Sequence, residues 1–314
     1  MSRLKHIKPY QLFESSASAA ALTEEQIKWL DECAENSWKL NRQTGLVDVV
    51  GNFDCSEQGL TDLKGVRFGK VSGDFDCGDN VLTTLEGAPK TVNGGFVCYD
   101  NHLTSLEGAP QTVNGNFSCY DNQLTSLEGA PKSVGRDFGC SNNQLTSLLG
   151  APQTVGGDFG CSNNQLTTLV GAPQSVGWDF RCYDNQLTTL VGAPQTVGHF
   201  RCERNQLTSL VGAPKTVNGG FDCYSNQLTT LEGAPQSVGG DFYCNDNPVS
   251  ETTLKAIFEL MEKGKPYQQA LEERWPKMGD EDRVLMYKQM PDLSPEDIRK
   301  YKALATYNNI KNYL

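Results

Sequence analysis

An α+β repeat solenoid is the fold class this sequence predicts: a parallel β-solenoid of ten short strands, closed at its N-terminal end by a helix and hairpin and at its C-terminal end by a small α-helical cap. Three observations carry that prediction. Cysteines recur every 21 residues from Cys55 to Cys244, with one interval of 22 and one of 20. Around them the unit F-x-C-x-x-N-x-L-T-[ST]-L-x-G-A-P-x-[ST]-V-x-G-x repeats, and a unit so short can bury its apolar face only against its own copies. Outside this array the repeat disappears and helix signals replace it.

Charge draws the same boundaries. Residues 46–249 hold 10 Lys+Arg against 21 Asp+Glu, residues 1–45 hold 6 and 6, and residues 250–314 hold 11 and 11, so the formal net charge of −11 resides on the array. Three segments follow: an N-terminal helical and hairpin cap over 1–45, the solenoid over 46–249 and a C-terminal helical cap over 250–314. An acidic array disfavours a nucleic-acid partner, whose phosphates are bound through clustered Lys and Arg. No run of 18 or more apolar residues is present, and Met-Ser-Arg-Leu-Lys-His is followed by no apolar stretch. Neither a membrane span nor a secretory signal is therefore expected, and the expected location is the cytoplasm.

Within the unit each position has a task. Alternation in Phe-x-Cys points Phe and Cys to one face of a short strand, giving an inward column of ten Phe from Phe53 to Phe242 beside ten Cys. Each fully buried Phe contributes about 1.5 to 3 kcal/mol. Leu103, Leu106 and Val92 and their equivalents fill the rest of each coil. Asn recurs three residues after Cys from Asn80 to Asn247, where an amide can donate to and accept from the backbone of adjacent turns. Gly-Ala-Pro, from Gly87-Ala88-Pro89 to Gly233-Ala234-Pro235, predicts a tight side without helices, Pro fixing φ and Gly permitting positive φ.

The flanks read differently. Thr23-Glu-Glu-Gln26 is a capping box ahead of Ile27, Leu30 and Ala34, predicting a helix near 24–36. Trp38-Lys-Leu-Asn and Leu46-Val-Asp-Val-Val50, joined through Gln43-Thr-Gly45, predict a hairpin. After Cys244 the pattern breaks, and Ser250 is placed to cap a helix carrying Leu254, Ile257, Phe258 and Met261. Further helices are expected near 266–274, 280–290 and 295–312. Both caps answer a physical need, since an open strand edge invites pairing with another chain.

F-x-C-x-x-N-x-L resembles the leucine-rich-repeat core L-x-L-x-x-N-x-L, with Phe and Cys in place of the strand leucines, over about 200 residues. Asn-Gln-Leu-Thr-Ser-Leu, as at 122–127, is similar to the short-repeat class of secreted bacterial effectors, although Gly-Ala-Pro stands where those carry Leu-Pro. Lys-Pro-Tyr-Gln-Leu-Phe-Glu ahead of Cys-containing repeats also resembles leucine-rich proteins of tailed bacteriophages. That second resemblance implies a phage-encoded protein in the host cytoplasm or, alternatively, a structural virion component docked through its caps. Leu12-Phe-Glu14 before Ser-Ser-Ala-Ser-Ala resembles a phage head-maturation protease site, and a Ser/Ala linker explains the same residues.

Ten Cys at one repeat position are expected as buried thiols, not disulfides or metal ligands: no C-x-x-C pair or neighbouring His supplies a second ligand within a coil. Some effectors with similar repeats carry a Cys-dependent ubiquitin ligase, but here no Cys follows Cys244 and no His follows His199. No phosphate loop or G-x-S-x-G elbow is present either. The expectation is a chain without enzymatic activity, cofactor or metal. Thr-Ser and Thr-Thr pairs evoke ice-binding arrays, but they sit between two core leucines and form no T-x-T plane.

The positions flanking Phe and Cys are expected on the concave side, and they vary. Early coils show Asp54, Asp74, Asp76, Asp79 and Asp100; later ones show Arg181, Arg201 and Arg204 with His199; Tyr99, Tyr120, Tyr183, Tyr224 and Tyr243 interleave. Tyr and Arg are enriched where protein contacts are strongest. The expected binding residues are thus Arg181, Tyr183, His199, Arg201 and Arg204 as an anchor, with Tyr99, Tyr120, Tyr224, Tyr243 and Asp76 around it, and the expected partner is another protein. A water-facing sheet needs polar residues with or without a partner, so that alternative stays open. So does the oligomeric state. The residue missing between Cys182 and Cys202 falls beside His199 and is expected to distort the coil next to the arginines.

Overall fold

In the computed structural model the described residues are 21–35 and 37–249. The expected C-terminal helices and the Leu12-Phe-Glu14 site lie outside them.

Why the chain coils is visible in its hydrogen bonds. Ten Phe-x strands, from Phe53–Asp54 to Phe242–Tyr243, pair in parallel, each with its own copy one coil away: Phe53 faces Phe75, Phe138 faces Phe159, Phe180 faces Phe200. We number the coils 1 to 10 after their cysteines, Cys55 to Cys244. The Phe rings stack inside with centroids 5.1–5.7 Å apart. Such pairs add about 0.5–1.5 kcal/mol beyond the area they bury. Phe, Cys and both Leu of nearly every coil are sealed from solvent.

A second ladder, beyond the ten strands read from the sequence, runs along the Thr/Ser-Val pairs. Their valines point inward, Val92 beside Val113 and Val134 beside Val155. This Val sheet has eight strands up to Ser175–Val176, then a separate three-stranded piece from Thr196–Val197 to Ser237–Val238. The break coincides with the coil that lacks one residue. Contrary to expectation, the Phe ladder beside the arginines passes through undisturbed, with Phe180 and Phe200 5.4 Å apart. The deletion lies between Val and Phe and is absorbed on the Val side.

Gly-Ala-Pro makes the tight turn between the two ladders. At Gly108 φ is +92°, and a Cβ there would sit 2.7 Å from the Leu85 carbonyl oxygen of the coil before, so only glycine fits.

The N-terminal end is closed by helix α1 (Glu24–Cys33) and the antiparallel hairpin of β1 (Trp38–Asn41) and β2 (Leu46–Val49). Both halves of the Thr23/Gln26 capping box form. Gln26 Nε2 also donates to the Lys64 carbonyl at 2.7 Å, tying the helix to the first coil. Trp29 sits edge-on to Phe53 at 5.3 Å, so the aromatic column ends against an indole instead of water. β2 pairs with the first Val-sheet strand and β1 covers the exposed edge.

Candidate functional site

The Phe sheet presents four residues per coil away from the core: the one before Phe, the one between Phe and Cys, and the two after Cys. Its constant register has a cause. Each Asn holds the bend after Cys with one amide: Asn101 Nδ2 donates to the carbonyls of Cys77, Cys98 and Tyr99 at 3.0–3.3 Å, and its Oδ1 accepts from Leu82 N–H at 2.8 Å. The same pattern recurs in the following coils, which locks successive coils at one register.

A second side-chain ladder escaped the sequence reading. The residue before Phe accepts from the backbone N–H at the same place in the next coil: Asp137 Oδ1 from Asp158 at 2.8 Å, Asp158 from Asp179 at 3.0 Å, Asp179 from His199 at 2.9 Å. His199 takes its turn through Nδ1, which accepts from Gly220 N–H at 3.0 Å. Its role is therefore in part the one aspartate has elsewhere. The signal was an Asn/Asp-rich column at that position.

The candidate binding residues fall into two groups. Asp76, Tyr99 and Tyr120 lie on coils 2 to 4. Tyr99 and Tyr120 stack face to face, 4.7 Å and 3° apart. A hydrogen bond to Asp79 pushes the Tyr99 hydroxyl up to about 12. Burial raises the Asp76 carboxyl, whose Oδ1 accepts from Gly78 N–H. Arg181, Tyr183, His199, Arg201, Arg204, Tyr224 and Tyr243 lie on coils 7 to 10. Between the groups, coils 5 and 6 carry Gly139, Ser141, Gly160 and Ser162 where the flanking coils carry Arg or Tyr, beside Asp137, Asn142, Asp158 and Asn163, a saddle flanked by Tyr120 on one side and Arg181 and Tyr183 on the other. At about 4.8 Å per strand, coil 4 to coil 7 spans about 14 Å.

Each of the three arginines is paired with neighbouring carboxylates. Arg181 Nη2 lies 2.8 Å from Asp158 Oδ2 and 3.0 Å from Asp179 Oδ2. Arg201 Nη2 lies 2.5 Å from Glu203 Oε1, its Nε 3.5 Å from Asp222 without hydrogen-bond geometry, and its guanidinium 4.8 Å over the Tyr183 ring. Arg204 sits 3.5 Å from Asp184. Glu203 is 1% exposed and its Oε2 has no partner; burial raises its carboxyl and that of Asp222. Tyr243 donates to Asp241 at 3.0 Å. Carboxylates surround and outnumber the cations.

All eleven cysteines are free. Those of the ladder are buried, and burial pushes their thiols up, Cys77 and Cys161 well above the ordinary 9.0. Such thiols are poor nucleophiles at neutral pH. No helix among the described residues is long and apolar enough to cross a membrane.

One surface feature away from this sheet was also missed. The residue before Gly-Ala-Pro is Glu86, Glu107 and Glu128 in coils 2 to 4 and Glu232 in coil 9, but Leu149, Val170, Val191 and Val211 in coils 5 to 8, all of them exposed. An aliphatic row thus interrupts a glutamate row.

These features define a leucine-rich-repeat-like parallel β-solenoid, an architecture whose stacked coils provide long surfaces for protein interaction. No family model matches the chain, and no curated protein matches it. Among solved structures it is similar to "YopM from Yersinia enterocolitica WA-314", with 17% identity and a TM-score of 0.44 over 71% of this chain. The chain spans 55% of that protein's length.

Proposed function

We propose that the solenoid is a non-catalytic protein-binding scaffold and that the outer face of the Phe sheet is its recognition surface. One observation supports this above the others: the core positions scarcely change from coil to coil, while the outward positions of the same strands pass from aspartate through tyrosine and glycine to arginine, all held in one register. Residues that repeat serve stacking; residues that change on a fixed lattice are free to serve a partner. Binding on two levels suits the saddle, with aromatic side chains rising on either side of a glycine floor. In keeping with the tailed-phage resemblance, we place the protein in the host cytoplasm; stoichiometric copies in purified particles would move it to the virion instead.

Steric blocking tests the surface. A Cβ on Gly139 or Gly160 approaches neighbouring side chains no closer than 3.6 and 3.4 Å, so both positions accept larger residues. In a pull-down, Gly139→Gln/Gly160→Gln should lose the captured protein while keeping the wild-type Tm. Gln153→Glu/Gln174→Glu, beside the Val sheet, should retain it. Capture that survives the first pair excludes this face.

A further inference from the structure

We infer that the partner of this face is a basic polypeptide segment, one that brings Lys or Arg side chains to the strand positions around Tyr183, Glu203 and Tyr224. The inference rests on the reading of the Phe-sheet face as the recognition surface, and it names the partner's chemistry.

Charge placement is the first support. The four outward positions of the ten coils carry fifteen carboxylates and three arginines, whereas the rest of residues 46–249 carries six carboxylates and seven Lys or Arg. The chain's net charge of −11 therefore belongs to one face of one sheet, and the other sides of the solenoid are close to neutral. Structural capping accounts for the aspartates before Phe, which accept backbone N–H groups. It does not account for Asp222, whose side chain caps no neighbouring coil, nor for Glu203.

Glu203 supplies the second, independent support. It occupies the same strand position as Tyr183 in the coil before and Tyr224 in the coil after, so it stands between two aromatic side chains. It is 1% exposed, Arg201 satisfies only its Oε1, and Oε2 is left without a donor. A buried carboxylate oxygen lacking a donor is costly unless something supplies one. Arg201 is shared among Glu203, Asp222 and the Tyr183 ring, leaving two carboxylates on one cation. An added ammonium or guanidinium drawn to the more accessible Asp222 carboxylate and to the tyrosine faces supplies the missing charge to this cluster, Glu203 Oε2 itself being sealed from direct contact. A second copy of this chain is a poor occupant, because its matching face is equally acidic and the two would repel.

The test uses the full chain and a fluorescein-labelled peptide of alternating Lys, Gly and Arg. Wild type should bind it, more weakly as salt is raised. Asp222→Asn/Asp241→Asn/Glu203→Gln should weaken binding at least tenfold with an unchanged far-UV spectrum. Glu86→Gln/Glu107→Gln/Glu128→Gln, which removes as much charge elsewhere, should change it less than twofold. Equal loss in both triple variants would mean diffuse attraction and overturn the inference, as would absence of binding by wild type. A glycine-blocked face that still loses a captured protein, together with no peptide binding, would retain the surface and reject the basic partner.

Discussion

Asn143 Nδ2 donates to the Cys119 carbonyl, one coil back, at 3.1 Å, while the Leu124 N–H of that coil donates to its Oδ1 at 2.9 Å. One buried amide thus clamps two coils in both directions, and it also holds its own coil through Cys140 and Ser141. Asn143→Ala should cost about 3 kcal/mol, since several buried backbone groups lose their partner together. Asn143→Asp keeps the shape and the acceptor but removes the donor, and should be equally harmful at neutral pH. Urea titration of the two variants checks this: if the aspartate variant matched wild type, the donated bonds would carry no weight.

The thiol column makes the fold sensitive to alkali. Ladder thiols are raised above 9.0 in the folded chain by burial, so the native state holds protons that the unfolded chain releases. Stability contributed by each is whole below pH 9 and declines as pH rises further. One unit above, the loss is about 1.4 kcal/mol per thiol, multiplied along the column. Circular dichroism against pH should show cooperative unfolding between about pH 9 and 10, with an aromatic disulfide reagent unreactive until that transition. Early, gradual thiol reaction in the folded state would contradict it.

Glu203, Asp76 and Asp222 predict the opposite end of the scale. Their carboxyls lie above the ordinary 4.5 and 3.8, with burial as the leading cause, so the native state again holds more protons than the unfolded one. Stability should rise as pH falls from neutral toward those ordinary values. Melting at pH 5 should exceed melting at pH 7.5, and Glu203→Gln should shrink the difference.

Arg204 occupies a left-handed conformation, φ +53°, as do its counterparts two residues after Cys. Most of those are Asp or Asn, which tolerate this region; a longer side chain pays about 1 kcal/mol more. Its ion pair with Asp184 is largely exposed and worth about 0–1 kcal/mol. Backbone preference should prevail slightly, and Arg204→Asn should raise Tm by about 1–3 °C. A drop of several degrees would show the ion pair to be the stronger term.

Along the aliphatic row, Leu149→Glu/Val170→Glu restores the residue that coils 2 to 4 carry. Both side chains are about half exposed or more, so stability should change by less than about 0.5 kcal/mol per site. Solubility should improve, measured by light scattering at rising concentration. Loss of fold would place these side chains in the core.

Most of the fold could be read before any coordinates, because the residues that build it repeat: Phe, Cys and Asn announce strand, column and bend at one spacing. The Val ladder was harder, since two residues make a strand only when a copy lies beside them. The outward placement of the candidate residues was legible, but their electrostatics were not. Pairing Arg181 with Asp158 requires knowing that a residue one coil and two positions earlier is a neighbour, and that the guanidinium turns toward it. The glutamate-to-aliphatic change at Leu149 to Val211 was in plain view, but a position written as variable conceals a pattern in its variation.

The interruption of the Val sheet between Val176 and Val197 has a mechanical consequence. The Gly198 N–H still donates to the Trp178 carbonyl at 2.6 Å across that gap, and Phe180–Phe200 stacking and the Asn205 clamp are intact beside it, so the shortfall of one residue is taken up on one edge while the edge that carries Arg201 keeps its spacing.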